Sequence, residues 1–307
     1  MQNTIELTRE KLDSLKSTFF NKSLPTKLVH YTDAAGLLGI LNSQKMWGTH
    51  AFYLNDATEI YHIQELVENI SNELIDQYKP NEIGQTDDEH AVWRNRDFLF
   101  RLSYKSLREK PNPDIYVTCF CENDDLLSQW RGYGAGGAGY AICFDGKQFK
   151  ETFPTLKLRK VIYTLKDQEE IIRELLDIIF NSFKNNSTGM SVEEASLIAD
   201  EYALLFEKEI TKYSPFFKNP SFQEENEWRL TFSNEENNSS KNINFRTNNL
   251  GIIPYVEIDS SSDILPITEI RIGPSGHSIL AEKALRMVTN ERAMNIAISG
   301  STVPLRA

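Results

Sequence analysis

Apolar residues at Ile5, Leu12, Leu15 and Phe19 recur near the helical period and predict an amphipathic helix over 4–20. The run Lys27-Leu-Val-His-Tyr-Thr32 then reads as a short strand, with Asp33 positioned to cap a helix over 34–41. Met46-Trp47-Gly-Thr is a second extended run, followed by Tyr53-Leu-Asn-Asp56. Residues 57–78 turn helical and acidic, 80–90 read as an exposed loop, and 91–109 as a basic helix. Runs rich in β-branched and aromatic residues at 115–120 and 139–144 have the length of central strands, and 161–163 adds another. An acidic helical block covers 166–211. Beyond Pro220 the pattern returns to strands at 228–232, 252–256 and 267–272, and it closes as helix 279–290 and strand 295–299.

No internal repeat occurs, and no Pro/Gly/Ser linker divides the chain. Strands early, midway and late must then share a sheet. The expected fold is a single α+β domain over 1–307, with helical insertions at about 57–110 and 166–211. The 40% apolar and 25% charged residues are those of an ordinary globular protein and exclude a disordered or collagenous chain. No apolar run approaches the ~20 residues of a spanning helix, and the first ten residues lack the apolar core of a secretory leader. Three cysteines cannot make a disulfide framework, so reduced thiols and a cytoplasmic location are expected. With 33 basic against 44 acidic residues the net charge is −11, which repels nucleic acid at long range. Any such contact needs a local basic patch. Arg94, Arg101, Lys105 and Arg108 share one helical face and are the candidates, although such a face is commonly just solvated.

Several stretches invite a chemical reading. Gly132-Tyr-Gly134-Ala-Gly136-Gly137-Ala-Gly139 contains the dinucleotide fingerprint formally. That fingerprint works only between a strand and the helix that follows, and here a helix-like 125–130 precedes it and a strand follows. A mobile turn into the strand, close to a ligand, is the expected role. The five histidines show no zinc spacing, and Cys119 and Cys121 point to opposite faces of a strand, so no metal is expected. In a strand over 223–232, alternation buries Trp228, Leu230 and Phe232 and gives Glu225, Glu227, Arg229 and Thr231 the other face. Those carboxylates either serve chemistry on a developing cation or form an ion-pair ladder. His30, ending an apolar strand before a helix, is either a core or capping residue or part of a site.

Taken together, His30-Tyr-Thr, Gly36-Leu-Leu-Gly-Ile-Leu41, Cys119-Phe-Cys, Leu126-Leu-Ser-Gln-Trp130-Arg-Gly-Tyr133, Glu225-Asn-Glu227-Trp-Arg229 and Ile270-Arg-Ile-Gly-Pro274 resemble a widespread bacterial family of uncharacterised proteins. The His-x-Thr strand and the following Leu/Ile-rich helix are similar to the start of ADP-ribosyltransferase folds, which include DNA-modifying toxins and RNA 2′-phosphotransferases. That resemblance implies a split mixed β-sheet, NAD as substrate and no metal. It assigns His30 to the adenosine ribose, Tyr133 (with Trp130 in reserve) to nicotinamide stacking, and Glu227 to catalysis. Tyr31, Thr32, Tyr53 and Ser128 would line the NAD site. Glu225, Arg229 and the Arg101, Lys105 and Arg108 face would meet a nucleic-acid or protein acceptor. A fixed carboxylate suits the oxocarbenium-like state formed as nicotinamide departs, and Arg229 would keep Glu227 ionised. The resemblance further implies a toxin or anti-phage effector, with a neutralising antitoxin as a partner. The alternatives are a nucleotide-binding or sensing module with a weakened site, and an RNA 2′-phosphotransferase-like enzyme.

Overall fold

The computed structural model of the protein describes residues 2–54, 59–77, 89–108, 114–234, 241–248 and 251–304. Its elements run α1 (Gln2–Phe19), β1 (Lys27–Thr32), α2 (Ala34–Ser43), β2 (Met46–His50), α3 (Glu59–Gln77), α4 (Glu89–Arg108) and β3 (Ile115–Phe120). There follow α5 (Leu127–Gly132), β4 (Tyr140–Asp145), α6 (Gly146–Thr152), β5 (Lys157–Lys160), α7 (Leu165–Asn186) and α8 (Val192–Tyr213). The chain closes with β6 (Trp228–Ser233), β7 (Asn244–Asn248), β8 (Gly251–Ile258), β9 (Ile267–Ile272), α9 (Ser278–Glu291) and β10 (Ala297–Gly300). Local chemistry accounts for several boundaries. The Asp33 carboxylate accepts the Gly36 N–H at 2.7 Å and starts α2, and Ser191 with Glu194 forms a reciprocal capping box at α8.

The chain divides into two compact units, each assembled from three separated segments. The first takes residues 1–22, 55–113 and 162–221, and all its long elements are helices: α1, α3, α4, α7 and α8. Leu12, Val67, Phe98, Leu175, Ile179 and Phe206 lie in one buried apolar cluster, where the Phe98 and Phe183 rings stack at 4.1 Å. Four of the five helices are amphipathic blocks from the two predicted insertions, and α1 supplies the fifth.

The second unit takes residues 23–54, 114–161 and 222–307 and is mixed α/β. It contains a four-stranded mixed sheet of order β1-β4-β9-β10, in which only the β9–β10 pair is parallel. Helix α9 makes the crossover between those two strands, as parallel pairing requires. The other sheet is antiparallel throughout, with the order β5-β6-β3-β2-β8-β7. Alternate residues of both sheets meet in a single core, which includes Ile142 and Ile270 from the first and Phe120, Trp228, Leu230 and Val256 from the second.

Three expectations need correction. The predicted strand 161–163 is reduced to a bridge between Ile162 and Phe217, and the strand lies just before it, at β5. The predicted strand 223–232 begins only at Trp228, because Pro220–Glu225 winds as a 3-10 turn. The sheet residues do not share one sheet but two. The predicted loop at 80–90 lies almost wholly outside the described residues, as do Asn55 and Asp56.

Candidate functional site

Beyond their shared core, the two sheets are joined by a backbone bridge between β1 and the end of β3. β6 pairs with β3 along its whole length on one edge. The other edge of β3 is shared. β2 holds Tyr116 and Val117, while β1 reaches β3 only through Val29 and Cys121, which exchange both backbone hydrogen bonds at 2.9 Å. Between these contacts the edge is open, and the His30 side chain fills it, with Nδ1 2.8 Å from the Cys119 carbonyl oxygen. A carbonyl only accepts, so Nδ1 carries the proton, and Nε2 keeps its lone pair for another donor. Burial pushes the His30 pKa down to about 4, partly opposed by the Cys119 carbonyl and reinforced by the positive charge of Arg246. The ring is therefore neutral near pH 7. The Thr118 hydroxyl closes the β2 side of the opening by donating to the Trp47 carbonyl at 2.9 Å.

On the six-stranded sheet, alternation places Trp47, Thr49, Cys119, Arg229, Arg246 and Tyr255 on the face opposite the apolar core. Trp47 and Tyr255 pack at 4.7 Å between ring centres. The Arg246 guanidinium lies 5.7 Å from the Trp47 ring centre and 5.8 Å from that of Tyr255, and its Nη2 donates to Thr49 Oγ1 at 2.8 Å. Desolvation lowers the pKa of Arg246, with Asp33 acting against it. Helix α2 comes so close here that a Cβ on Gly39 would sit 2.2 Å from the Trp47 indole.

Glu227 and Arg229 form a buried pair at the start of β6, with Arg229 Nε 2.8 Å from Oε1 and Nη2 3.0 Å from Oε2. Such a fork is strong and directional, and it fixes the carboxylate. The turn before it runs through Asn226 at φ 45°, a left-handed conformation that asparagine tolerates better than most residues. Glu122 accepts from Lys160 Nζ and Trp228 Nε1, both at 2.8 Å. Burial alone would raise the Glu122 pKa, but these bonds together with Asn226 hold it below the usual carboxylate range.

β1 meets the end of β3 at the Val29–Cys121 bridge, and the β3–β6 register ends at Phe120 and Trp228, one residue before Cys121 and one after Glu227. The His30 ring lies in the opening beside this junction, 5.8 Å from the Phe120 ring.

The remaining assigned residues are distributed as follows. Tyr133 packs half-buried against the cluster of Val29, Tyr31, Cys121 and Trp130. Trp130 is fully buried, its Nε1 donating to Asp125 at 2.9 Å, and Tyr31 donates its hydroxyl to the Asn123 carbonyl at 3.0 Å. Both rings are core residues. Burial also raises the pKa of Tyr31 and pushes the thiols of Cys121 and Cys143 up to about 12, so neither thiol is an ionised nucleophile near pH 7. Thr32 is buried at the end of β1. Ser128 has a buried hydroxyl with no hydrogen-bond partner among the described residues. Tyr53 stands exposed in a 3-10 turn with its ring edge-on to His50. Glu225 lies half-buried at the end of the 3-10 turn rather than in alternation with Glu227.

Within the glycine-rich stretch, Gly134 and Gly139 serve close packing, while Gly136 takes a left-handed φ of 67° with nothing within 4 Å of an added Cβ. Gly139 donates to the Gly134 carbonyl at 2.8 Å, and a Cβ there would lie 2.5 Å from the Thr32 carbonyl oxygen. In the helical unit, Arg101 is committed to Asp97, Asp200 and Ser196, and Arg94 is buried against the Met190 carbonyl. The side chains of Lys105 and Arg108 lie outside those described. Asp124, Cys143 and Glu269 bring donor atoms within 4.8 Å of one another, but Lys27 Nζ already stands 2.5 Å from Asp124 and 3.6 Å from Glu269. That ammonium supplies the positive charge the acidic pair requires.

Sequence reasoning missed Thr49, Arg246 and Tyr255 as neighbours of the opening. Arg246 and Thr49 are separated by 197 residues, and no spacing rule joins them. Trp47 was legible as part of an extended run but not as a site residue.

The second unit is thus a mixed α/β body whose two sheets meet at a histidine-filled opening. Residues 129–230 match the family model described as Protein of unknown function (DUF2971). That span carries Trp130, Tyr133, Glu225, Glu227 and Arg229 and ends before Arg246, and the description assigns no activity. No curated protein and no solved structure matches the chain. Among the described residues no helix is long and apolar enough to cross a membrane.

Proposed function

We propose that the opening between β1 and β2 is a nucleotide site, that its ligand is NAD, and that the protein consumes it as an ADP-ribosyltransferase-like enzyme. The observation that carries this reading is His30, a neutral imidazole filling the opening, its Nε2 unengaged among the described residues and suited to accept a ribose hydroxyl. The split arrangement of sheets is what the resemblance to ADP-ribosyltransferases implies. In the reaction, the bond between ribose C1′ and the nicotinamide nitrogen breaks and its electron pair leaves with nicotinamide. An acceptor oxygen or nitrogen then bonds to C1′ and loses its proton. Glu227 is the carboxylate assigned to the developing cation, and Tyr133 is the ring assigned to nicotinamide. The acceptor, whether nucleic acid or protein, and a role in toxin–antitoxin or anti-phage conflict, with a neutralising antitoxin, belong to the same proposal.

One observation favours the second reading, a nucleotide-binding or sensing module without transfer. Glu227 is buried, and both its oxygens are engaged by Arg229. A single experiment separates the two. NAD binding is measured by calorimetry, and nicotinamide release by mass spectrometry with and without cell lysate, for the unaltered protein, His30→Ala and Glu227→Gln. The transferase reading expects His30→Ala to weaken binding about tenfold and Glu227→Gln to slow release by roughly two to three orders of magnitude at little cost in affinity. Binding without any release in the unaltered protein supports the module. Absence of NAD binding defeats both.

A further inference from the structure

We infer that Arg246, Trp47 and Thr49 form a phosphate-binding subsite beside the His30 opening, one that would receive the pyrophosphate of the nucleotide. The inference rests on the reading of the opening as a nucleotide site and adds the residues that would hold its charge. Arg246, on the edge strand β7, lies over Trp47, whose carbonyl accepts the Thr118 hydroxyl on the β2 side of the opening. Among the described residues it makes no ion pair. Its one hydrogen bond goes from Nη2 to Thr49 Oγ1 at 2.8 Å, which leaves most of its five donors for a ligand.

The guanidinium is oriented by the Trp47 and Tyr255 rings, at 5.7 and 5.8 Å, and by the Thr49 hydroxyl. An arginine held this way loses less freedom on binding than one free in solvent, and its planar fork matches two phosphate oxygens. A second, independent observation points to the same class of ligand. Trp47 Nε1 is buried and has no hydrogen-bond partner among the described residues. An indole N–H only donates, so what satisfies it must be an acceptor. A buried donor without a partner is costly, and a ligand oxygen would remove that cost. A cation, a donor that lacks an acceptor, and the acceptor nitrogen of His30 together fit a ligand that is anionic at one end and hydroxylated at the other. A phosphorylated ribose has that character.

Arg246→Gln, Arg246→Lys and Trp47→Phe are compared with the unaltered full chain by calorimetry, with sodium pyrophosphate, ADP-ribose and NAD as probes. Thermal melting and circular dichroism verify that each variant is folded. Arg246→Gln is expected to weaken pyrophosphate and ADP-ribose by roughly 10- to 100-fold, with Arg246→Lys between it and the unaltered protein. Trp47→Phe keeps the ring, removes the donor and is expected to cost about fivefold. If Arg246→Gln binds pyrophosphate and ADP-ribose within twofold of the unaltered protein, the subsite is wrong while NAD can still occupy the opening through other residues. If pyrophosphate binds in an Arg246-dependent manner and neither ADP-ribose nor NAD binds, the subsite stands and the NAD reading falls. If the unaltered protein binds none of the three, both fall.

Discussion

His30 holds a place that a backbone would otherwise fill. The Cys119 carbonyl faces an edge where β1 has already turned away, and an imidazole N–H satisfies it at 2.8 Å. This arrangement makes stability depend on pH with a definite sign. The folded pKa, about 4, lies below the unperturbed 6.5. The neutral ring's contribution is therefore complete above pH 6.5 and is lost as pH falls toward 4, by up to about 3 kcal/mol. Urea denaturation between pH 4 and 7.5 should show that loss in the unaltered protein. His30→Gln titrates in neither state, so its stability curve should be flatter through the same window, the remaining slope being that of the carboxylates. Parallel curves for the two proteins would mean that the folded His30 protonates as freely as the unfolded one.

Close backbone approach sets the constraints at the level of elements. The turn between α5 and β4 carries glycines for two reasons: Gly136 takes a left-handed φ of 67°, and the chain at Gly139 passes against β1 with no room for a side chain. Gly139 is the tightest case, since a Cβ would lie 2.5 Å from the Thr32 carbonyl oxygen and 2.7 Å from the Gly134 carbonyl carbon. Both are backbone atoms, which cannot rotate away. Gly132, the last residue of α5, meets nothing within 4 Å. Gly139→Ala should accordingly lower stability by about 2 kcal/mol or more, while Gly132→Ala should be neutral or slightly stabilising, as expected at a helical position. Thermal melting of the two variants reads the contrast, and equal effects would remove the packing explanation for the turn. The same comparison bears on how the motif was legible. Its composition marked a turn correctly, but composition alone does not distinguish glycines that free a loop from glycines that admit a neighbouring strand.

At the scale of the whole molecule, each unit is stitched from three segments far apart in sequence. β1 pairs with β4 across more than a hundred residues, and β4 in turn pairs with β9 across a similar distance. Loop-closure entropy must be met before such pairings return any energy, and chains of this length fold through intermediates. Refolding is expected to be multiphasic, on a timescale of about milliseconds to seconds or longer. The α7–α8 pair, contiguous in sequence, should contribute early far-ultraviolet ellipticity. Near-ultraviolet signals from Trp47, Trp130 and Trp228 should develop late with the sheets. Stopped-flow circular dichroism in both spectral ranges tests this, and a single coincident phase would contradict it.

What the sequence determined is what depends on neighbours along the chain. Helical periodicity identified α1, the acidic block at 166–211 marked the region of α7 and α8 without the break between them, the Asp33 cap marked the start of α2, and alternation buried Trp228, Leu230 and Phe232 while turning Glu227 and Arg229 to the other face. Short polar strands escaped notice because their signal comes from a partner. β5 (Lys-Leu-Arg-Lys) and β7 (Asn-Phe-Arg-Thr-Asn) are strands only because β6 and β8 lie beside them. Tertiary structure alone decided which residues meet at the opening. The Val29–Cys121 bridge joins β1 to the end of β3 and leaves the Cys119 carbonyl to the His30 imidazole. Arg246, on the far edge of the second sheet, bonds to Thr49 across 197 residues, since proximity in space is set by strand register rather than by spacing along the chain.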